Sequence, residues 1–234
     1  MVKPDEAEVS GILKIGDWSS WHDEYANPDS ELNARKRAVQ AQVAAVVDLC
    51  PPGPVTVASI CGGQGRELIG ALEHHPRRQD VRGRIVELDE ANSAFAREWA
   101  RQAGLDNLEV MTGDASISAA YAGLPPVDLV VISGVFGHIC RADQQKMIEF
   151  LRQICRQGGR VVWTFYNRDE DRTRQLRDDF QAGKFVEESY QVLDGDFAFT
   201  ITRSRHSDAK APLDPDARIF TFGSSRTQPQ EPES

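Results

Sequence analysis

From Val55 to Phe165 the sequence alternates short β-branched runs with helical segments, and this rhythm constrains the fold more than any other feature. Strands are expected at residues 55–60, 84–88, 108–111, 127–133 and 160–165. Helices are expected at residues 66–73, 90–103, 116–122, 143–155 and 169–181. Strands and helices of these lengths join as right-handed parallel crossovers, which places helices on both faces of one sheet. The fold predicted is therefore α/β, doubly wound and mostly parallel.

The rhythm changes after the fifth strand. Residues 185–192 and 197–203 alternate as two strands around Asp194-Gly195, a hairpin signal, so an antiparallel pair completes a seven-stranded sheet. The short apolar run Ile219-Phe220-Thr221-Phe222 reads as an edge strand or as a flap over the site. Ahead of the sheet lies an N-terminal helical leader. One helical region opens near Trp18 and another near Ser30, where Leu32, Val39, Val43, Val46 and Val47 recur at helical spacing until Pro51-Pro52-Gly53-Pro54 stops them. The organisation expected is a leader and helical cap over 1–50, an α/β domain over 51–223 and a disordered tail over 224–234.

Composition narrows the function classes. A net charge of −9 and a pI near 5.1 argue against a nucleic-acid footprint, which favours a small-molecule partner. No run is long and apolar enough to span a bilayer and no secretory leader is evident, so no membrane partner and a cytoplasmic location are expected. Cys50, Cys61, Cys140 and Cys155 form no paired motif, so neither a metal site nor a disulfide framework is expected. His74-His75 reads as solvated surface beside Arg77 and Arg78. Homodimerisation is left open.

In an open parallel sheet, ligands bind beyond the carboxyl ends of the strands. The first strand runs into Cys61-Gly62-Gly63-Gln64-Gly65, where missing Cβ atoms let backbone turn tightly and approach a ligand. The second ends in Glu87-Leu88-Asp89. A carboxylate about 20 residues beyond the glycines suits ribose hydroxyls, and Asp89 is better read as the N-cap of the next helix, which leaves Glu87 for the sugar. After the third strand Asp114 could accept from an exocyclic amine, or cap the helix expected at Ser116. The fourth ends in Ser133-Gly134-Val135-Phe136-Gly137-His138.

With the glycine loop, the acid ending the second strand and Gly113-Asp114-Ala115 after the third, the chain resembles the class I, seven-stranded S-adenosyl-L-methionine-dependent methyltransferases. The segment from Val127 to Ile139 and the terminal hairpin agree, and the resemblance covers about residues 55–204. It implies that Cys61, Gly62, Gly63 and Gly65 border the methionine moiety of that cofactor. Glu87 would hold the ribose, Leu88 would pack on adenine, and Asp114 with the Ala115 backbone would read the adenine edge. Ser133 and Gly134 would offer backbone to the methionine amine. Two departures stand out: Ser59 where the family usually has an acid, and Cys61 where it usually has glycine.

The activity implied is in-line methyl transfer to an oxygen or nitrogen nucleophile on a small molecule. His138 lies where the methyl would emerge and is the candidate general base, the alternative being a hydrogen bond within its loop. Trp18, Trp21 and Tyr25 share a helical face. They read as packing, or, with Trp21 and Tyr25 over the site, as a substrate lining. Arg35 either binds the methionine carboxylate or makes a surface ion pair, and Tyr166, Asn167 and Arg168 are further pocket candidates. The rival readings are a nicotinamide-dependent oxidoreductase, a cofactor-binding protein without catalysis, and an enzyme that uses the same cofactor for another reaction.

Overall fold

The computed structural model describes residues 27–166, 170–193, 195 and 198–223. The expected helix at Trp18, the Trp21 and Tyr25 stripe, Asn167, Arg168, Asp194 and the tail lie outside the described residues.

The first described helix, α1 (Glu31–Leu49), starts where Ser30 accepts the amide of Asn33 through its hydroxyl. Val39, Val43, Val46 and Val47 form its buried stripe, and Pro51 and Pro52 prevent its continuation. The connection to the sheet is held by Arg77, whose guanidinium donates to the carbonyls of Val47, Cys50, Pro51 and Gly53 at 2.6–3.0 Å. His75 is also buried, with Nε2 3.3 Å from Asp48 and Nδ1 accepting the Arg77 amide. The solvated surface read at His74-His75 is thus corrected at His75: the pair straddles a structural anchor.

Seven strands follow: β1 (Val55–Ile60), β2 (Val81–Glu87), β3 (Leu108–Thr112), β4 (Val127–Ile132), β5 (Cys155–Tyr166), β6 (Phe185–Val192) and β7 (Phe199–His206). Their spatial order is β3-β2-β1-β4-β5-β7-β6; β1 to β5 pair in parallel, and β7 is antiparallel to both β5 and β6. This is the doubly wound sheet with a terminal hairpin that the sequence rhythm predicts. The helices between strands are α2 (Leu68–Leu72), α3 (Glu90–Gln102), α4 (Arg141–Ile154) and α5 (Glu170–Ala182).

One apolar core packs α1, α2 and α3 on the side chains of Val57, Ile85, Leu129 and Val131. A second packs α4 and α5 on Ile60, Val130, Ile132, Val161 and Trp163 from the opposite face. At the amino end of β4, Asp128 accepts from the Thr56 amide at 2.7 Å and from the Arg156 guanidinium. That carboxylate fixes the register of the two central strands at the end remote from the ligand side.

Several boundaries depart from the expectations. β2 begins three residues early because Gly83 belongs to the strand: a Cβ there would collide with the Val57 carbonyl of β1. β5 begins at Cys155, and its register shifts against β4 across Gly158-Gly159. The helix expected over 66–73 shortens to Leu68–Leu72, and the one over 116–122 is a 3₁₀ turn, Ser118–Tyr121. The final apolar run is no strand of the sheet; it is a strap joined to the chain after β3 by one antiparallel bridge, Ile117 to Arg218.

Candidate functional site

β1 and β4 are neighbours whose crossovers depart in opposite directions, so a crevice opens beyond their carboxyl ends. A cavity of about 620 Å³ lies there, lined by residues from the ends of four strands, from α1 and from the C-terminal strap. Cys61, Gly62 and Gly63 come from β1, Glu87 and Leu88 from β2, Asp114 and Ala115 from β3, and Ser133 and Gly134 from β4.

Glu87 organises the glycine loop. Its Oε2 accepts the Gly63 amide at 2.8 Å and its Oε1 accepts the Asp89 amide at 2.9 Å. A carboxylate has about four lone-pair positions, so two remain for a ligand. Asp89 caps α3 by accepting the Asn92 amide at 2.8 Å, the division of labour expected from the sequence. Leu88 is 71 % exposed beside this acid and forms an apolar shelf on the cavity wall.

Within the loop the glycines serve different ends. A Cβ on Gly62 would collide with Ile85 and meet the Ser59 hydroxyl at 2.9 Å, whereas a Cβ on Gly63 would meet nothing within 4 Å. Gly63 is therefore required by its φ of +54° and leaves open space toward the cavity. Gly65 closes the turn, donating to the Gly62 carbonyl at 2.9 Å, and stands behind the lining. Cys61 adopts φ +52°, the conformation a glycine would take freely, at a cost of about 1–2 kcal/mol. Burial, then the Glu87 and Asp114 carboxylates, push its thiol well above the usual value, so it stays protonated at neutral pH. Ser59 is buried beneath Gly62 and does not line the cavity.

Asp114 Oδ1 accepts from the amide and hydroxyl of Ser116 at 2.9 and 2.6 Å, and Arg218 of the strap lies 3.5 Å from Oδ2. Desolvation raises the Asp114 carboxyl, but the Ser116 bonds and Arg218 outweigh it and hold the group below its ordinary value. Ala115 is held by the Tyr121 hydroxyl, which donates to its carbonyl at 3.1 Å. The Gly134 amide donates to Thr164 Oγ1 at 3.0 Å, so its loop is pinned to β5. Ser133 Oγ is buried and makes no hydrogen bond among the described residues.

Arg35 is 2 % exposed and 3.5 Å from Glu67, with its guanidinium 5.0 Å above the Phe199 ring. The surface alternative for the ion pair is corrected to a buried pair at the cavity wall, because the start of α1 reaches the cavity while the rest of the helix packs on the sheet face. Two other candidates stand one layer back. His138 stacks on Phe222 at 5.2 Å between centroids, and it is Phe222 that lines the cavity. Tyr166 meets Phe199 edge-on at 5.8 Å and does not line it. Sequence reasoning gave no site role to Gln64, Arg66, Glu67, Glu90 and Asn92, which line the cavity, and none to Phe220 or Phe222 beyond the flap. Gln64 lies within the glycine loop and Arg66 and Glu67 follow it directly, and that adjacency was the available signal.

The sequence matches no family model and no curated protein. Among solved structures the chain is similar to 1,6-didemethyltoxoflavin-N1-methyltransferase of Burkholderia thailandensis, with bound 1,6-didemethyltoxoflavin and S-adenosylhomocysteine. The TM-score is 0.62 at 17 % identity, over 89 % of this chain and 93 % of that one. The fold is that of class I S-adenosylmethionine-dependent methyltransferases. A second similar structure is magnesium protoporphyrin IX methyltransferase of Synechocystis PCC 6803 with bound S-adenosylmethionine, at TM-score 0.61, 18 % identity, and coverage of 88 % and 99 %. A third is the [4+2]-cyclase SpnF, at TM-score 0.55, 12 % identity, and coverage of 72 % and 81 %. Among the described residues no helix is long and apolar enough to cross a membrane.

Proposed function

We propose that this chain is an enzyme that binds S-adenosylmethionine at the crevice and transfers its methyl group to an oxygen or nitrogen of a small molecule. The observation that carries the reading is the Glu87–Gly63 hydrogen bond within an acidic cavity. A dinucleotide loop needs its glycine amides for pyrophosphate. Here the Gly63 amide is given to a carboxylate, and Glu67, Glu87, Asp89, Glu90 and Asp114 line the cavity against Arg35 and Arg66. Such a field repels pyrophosphate and attracts a ligand bearing a sulfonium and an ammonium. That disfavours the nicotinamide alternative.

The residues present fit the cofactor by their donor chemistry. Glu87 would accept from ribose hydroxyls, Leu88 and Ala115 would flank the base, and Asp114 Oδ2 would accept from its exocyclic amine. Cys61, Gly62 and Gly63 would border the methionine chain, Ser133 and Gly134 its amine, and Arg35 its carboxylate. Gly65 would act from behind, by closing the turn. Bound there, S-adenosylmethionine would supply a methyl whose S–C electron pair stays on sulfur while the acceptor's lone pair forms the new bond.

The protein's part in such a step is placement and exclusion of water, which is where most of the rate of a substitution of this kind originates. His138 would receive the acceptor's proton only if Phe222 gives way, and otherwise it supports that ring. Trp21 and Tyr25 are proposed as acceptor-binding residues; Tyr166, packed on Phe199, would act only through that ring. The reading includes a small-molecule partner, no nucleic acid, no membrane surface and a cytoplasmic setting; homodimerisation is left to solution measurement.

The test is to incubate the protein with methyl-tritiated S-adenosylmethionine and the small-molecule, RNA and protein fractions of a cell extract. Label is expected in extractable small molecules. Label in RNA or protein, or cofactor binding with no transfer to any fraction, would overturn small-molecule methyl transfer; the last outcome would favour the non-methylating reading, for which the fold shared with a cyclase gives room.

A further inference from the structure

Beyond β7 the chain returns to the site. The Ala211 amide donates to the Arg152 carbonyl at 2.9 Å and the Asp214 amide to Gln153 Oε1 at 3.0 Å, so this segment is first fastened to the end of α4. Residues 217–219 of the strap then run antiparallel to residues 116–118, just after Asp114. The Ser118 amide donates to the Ala217 carbonyl at 3.0 Å, the Ala217 amide to Ser118 Oγ at 3.0 Å and the Ile219 amide to the Ser116 carbonyl at 2.7 Å, around the bridge between Ile117 and Arg218. Ile219 and Phe220 are buried in the core. The strap backbone is thereby fixed beside the end of β3.

This pairing delivers Arg218 to the site. Asp214 and Asp216 are nearer to it in sequence, yet its ion pair is with Asp114, 3.5 Å from Oδ2. Its Nη1 donates to Ser116 Oγ at 2.8 Å, and that hydroxyl donates in turn to Asp114 Oδ1 at 2.6 Å, beside the Ser116 amide at 2.9 Å. Both bonds from Ser116 fall on the same oxygen, so the carboxylate is held against rotation while Oδ2 keeps lone pairs for a ligand. Asp114 lines the cavity and Arg218 does not. With side chains 57 % and 46 % exposed, the ion pair adds little to folding stability. Its effect falls on the orientation of Asp114.

We propose that Arg218 is a positioning residue for the base of the cofactor: through Ser116 and through its own charge it keeps Asp114 turned to accept from an exocyclic amine, so the C-terminal strap sets the preference for adenine over a 6-oxopurine. The inference rests on the cofactor reading above. Adenine presents a donor at its 6-position, which a carboxylate accepts. A 6-oxopurine presents an acceptor there, and two facing acceptors are both left unpaired. A carboxylate free to turn would discriminate less, because its fixed orientation would have to be acquired at the moment of binding.

The experiment measures calorimetric affinities of the full chain for S-adenosylhomocysteine and S-inosylhomocysteine, whose bases are adenine and its 6-oxo counterpart. The wild-type protein is expected to prefer the adenosyl ligand by about tenfold to hundredfold, the range of a hydrogen bond to a charged group. Arg218→Ala should lower that preference about fivefold and leave affinity for S-inosylhomocysteine within about a factor of two, as loss of an interaction acting through Asp114 requires. Arg218→Lys, which keeps a cation, should recover most of the preference, and Ser116→Ala should lower it as Arg218→Ala does. In an Asp114→Ala background, Arg218→Ala should change it no further. Thermal melting confirms that each variant folds. No preference in the wild-type protein, or an undiminished preference in Arg218→Ala, would overturn the proposal; equal weakening of both ligands would reduce the strap to structural support. An effect of Arg218→Ala that persists without Asp114 would also overturn it, by placing the guanidinium on the ligand itself. Failure of the wild-type protein to bind either ligand would overturn the cofactor reading, and the proposal with it.

Discussion

Gly63 donates its amide to Glu87 Oε2 at 2.8 Å, so the tip of the first crossover loop is fastened to the end of the neighbouring strand. The same carboxylate holds the Asp89 amide through its other oxygen. One side chain thereby sets the shape of two loops and keeps acceptor capacity facing the cavity. Glu87→Ala should weaken S-adenosylhomocysteine binding by about ten- to hundredfold, from ~1.5–3 kcal/mol per hydrogen bond to a charged group. Glu87→Gln should lose less, because its carbonyl can still accept one amide. Calorimetry on both variants checks the order, and equal affinity in all three proteins would refute the role.

Cys61 at φ +52° reverses the usual ranking of alanine over glycine. Cys61→Gly and Cys61→Ala lose the same sulfur, so their difference leaves the backbone conformation and one Cβ packed on the core. The glycine variant should be more stable by about 1 kcal/mol in urea denaturation, the strain relieved exceeding the added freedom of the unfolded chain. Alanine the more stable would mean that the loop relaxes away from the left-handed region.

Asp143 is buried at the start of α4, where it accepts the Thr221 amide and pairs with Lys146 at 2.9 Å. Asp143→Ala should cost about 1–3 kcal/mol by leaving a strap amide without its acceptor. Amide hydrogen exchange should accelerate at Thr221 and Gly223 and stay slow in β1 and β4. Uniform acceleration would show that the strap and sheet open together.

His206 supplies a pH dependence. It is buried on β7 against Phe185, its Nδ1 lies 3.3 Å from the Arg156 carbonyl, and its Nε2 makes no hydrogen bond among the described residues. Desolvation lowers its pKa below the ordinary 6.5, outweighing the bond to Arg156. The folded protein therefore binds this proton less readily than the unfolded chain, and stability should fall as pH drops below about 6.5. His206→Phe, which keeps the ring stack, should flatten the melting temperature between neutral pH and the onset of carboxylate protonation. An unchanged slope would assign the acid sensitivity elsewhere.

The sheet was legible in the sequence because β1, β4 and the second half of β5, from Val161 to Phe165, are largely apolar runs rich in β-branched residues, as a sheet buried on both faces requires. The strand-end acids and glycines were legible for the same reason: once strands are placed, their carboxyl ends are placed. Gly83 was not, since a glycine in a strand reads as a break until the Val57 carbonyl is seen occupying the space of its Cβ. The two readings of Arg35 could not be told apart in the sequence, because helical spacing shows which residues share a face and not that the start of α1 reaches a cavity. Phe222 was visible as part of an apolar run, but its partnership with His138 joins positions 84 residues apart in sequence, and no local pattern encodes it.

The most direct measurement is a calorimetric titration of the wild-type chain with S-adenosylhomocysteine, with reduced nicotinamide cofactor run alongside. Saturable one-to-one binding in the micromolar range for the first, and none for the second, is the expected result. No binding of S-adenosylhomocysteine or S-adenosylmethionine at millimolar concentration would contradict the assignment of the Glu87–Gly63 crevice.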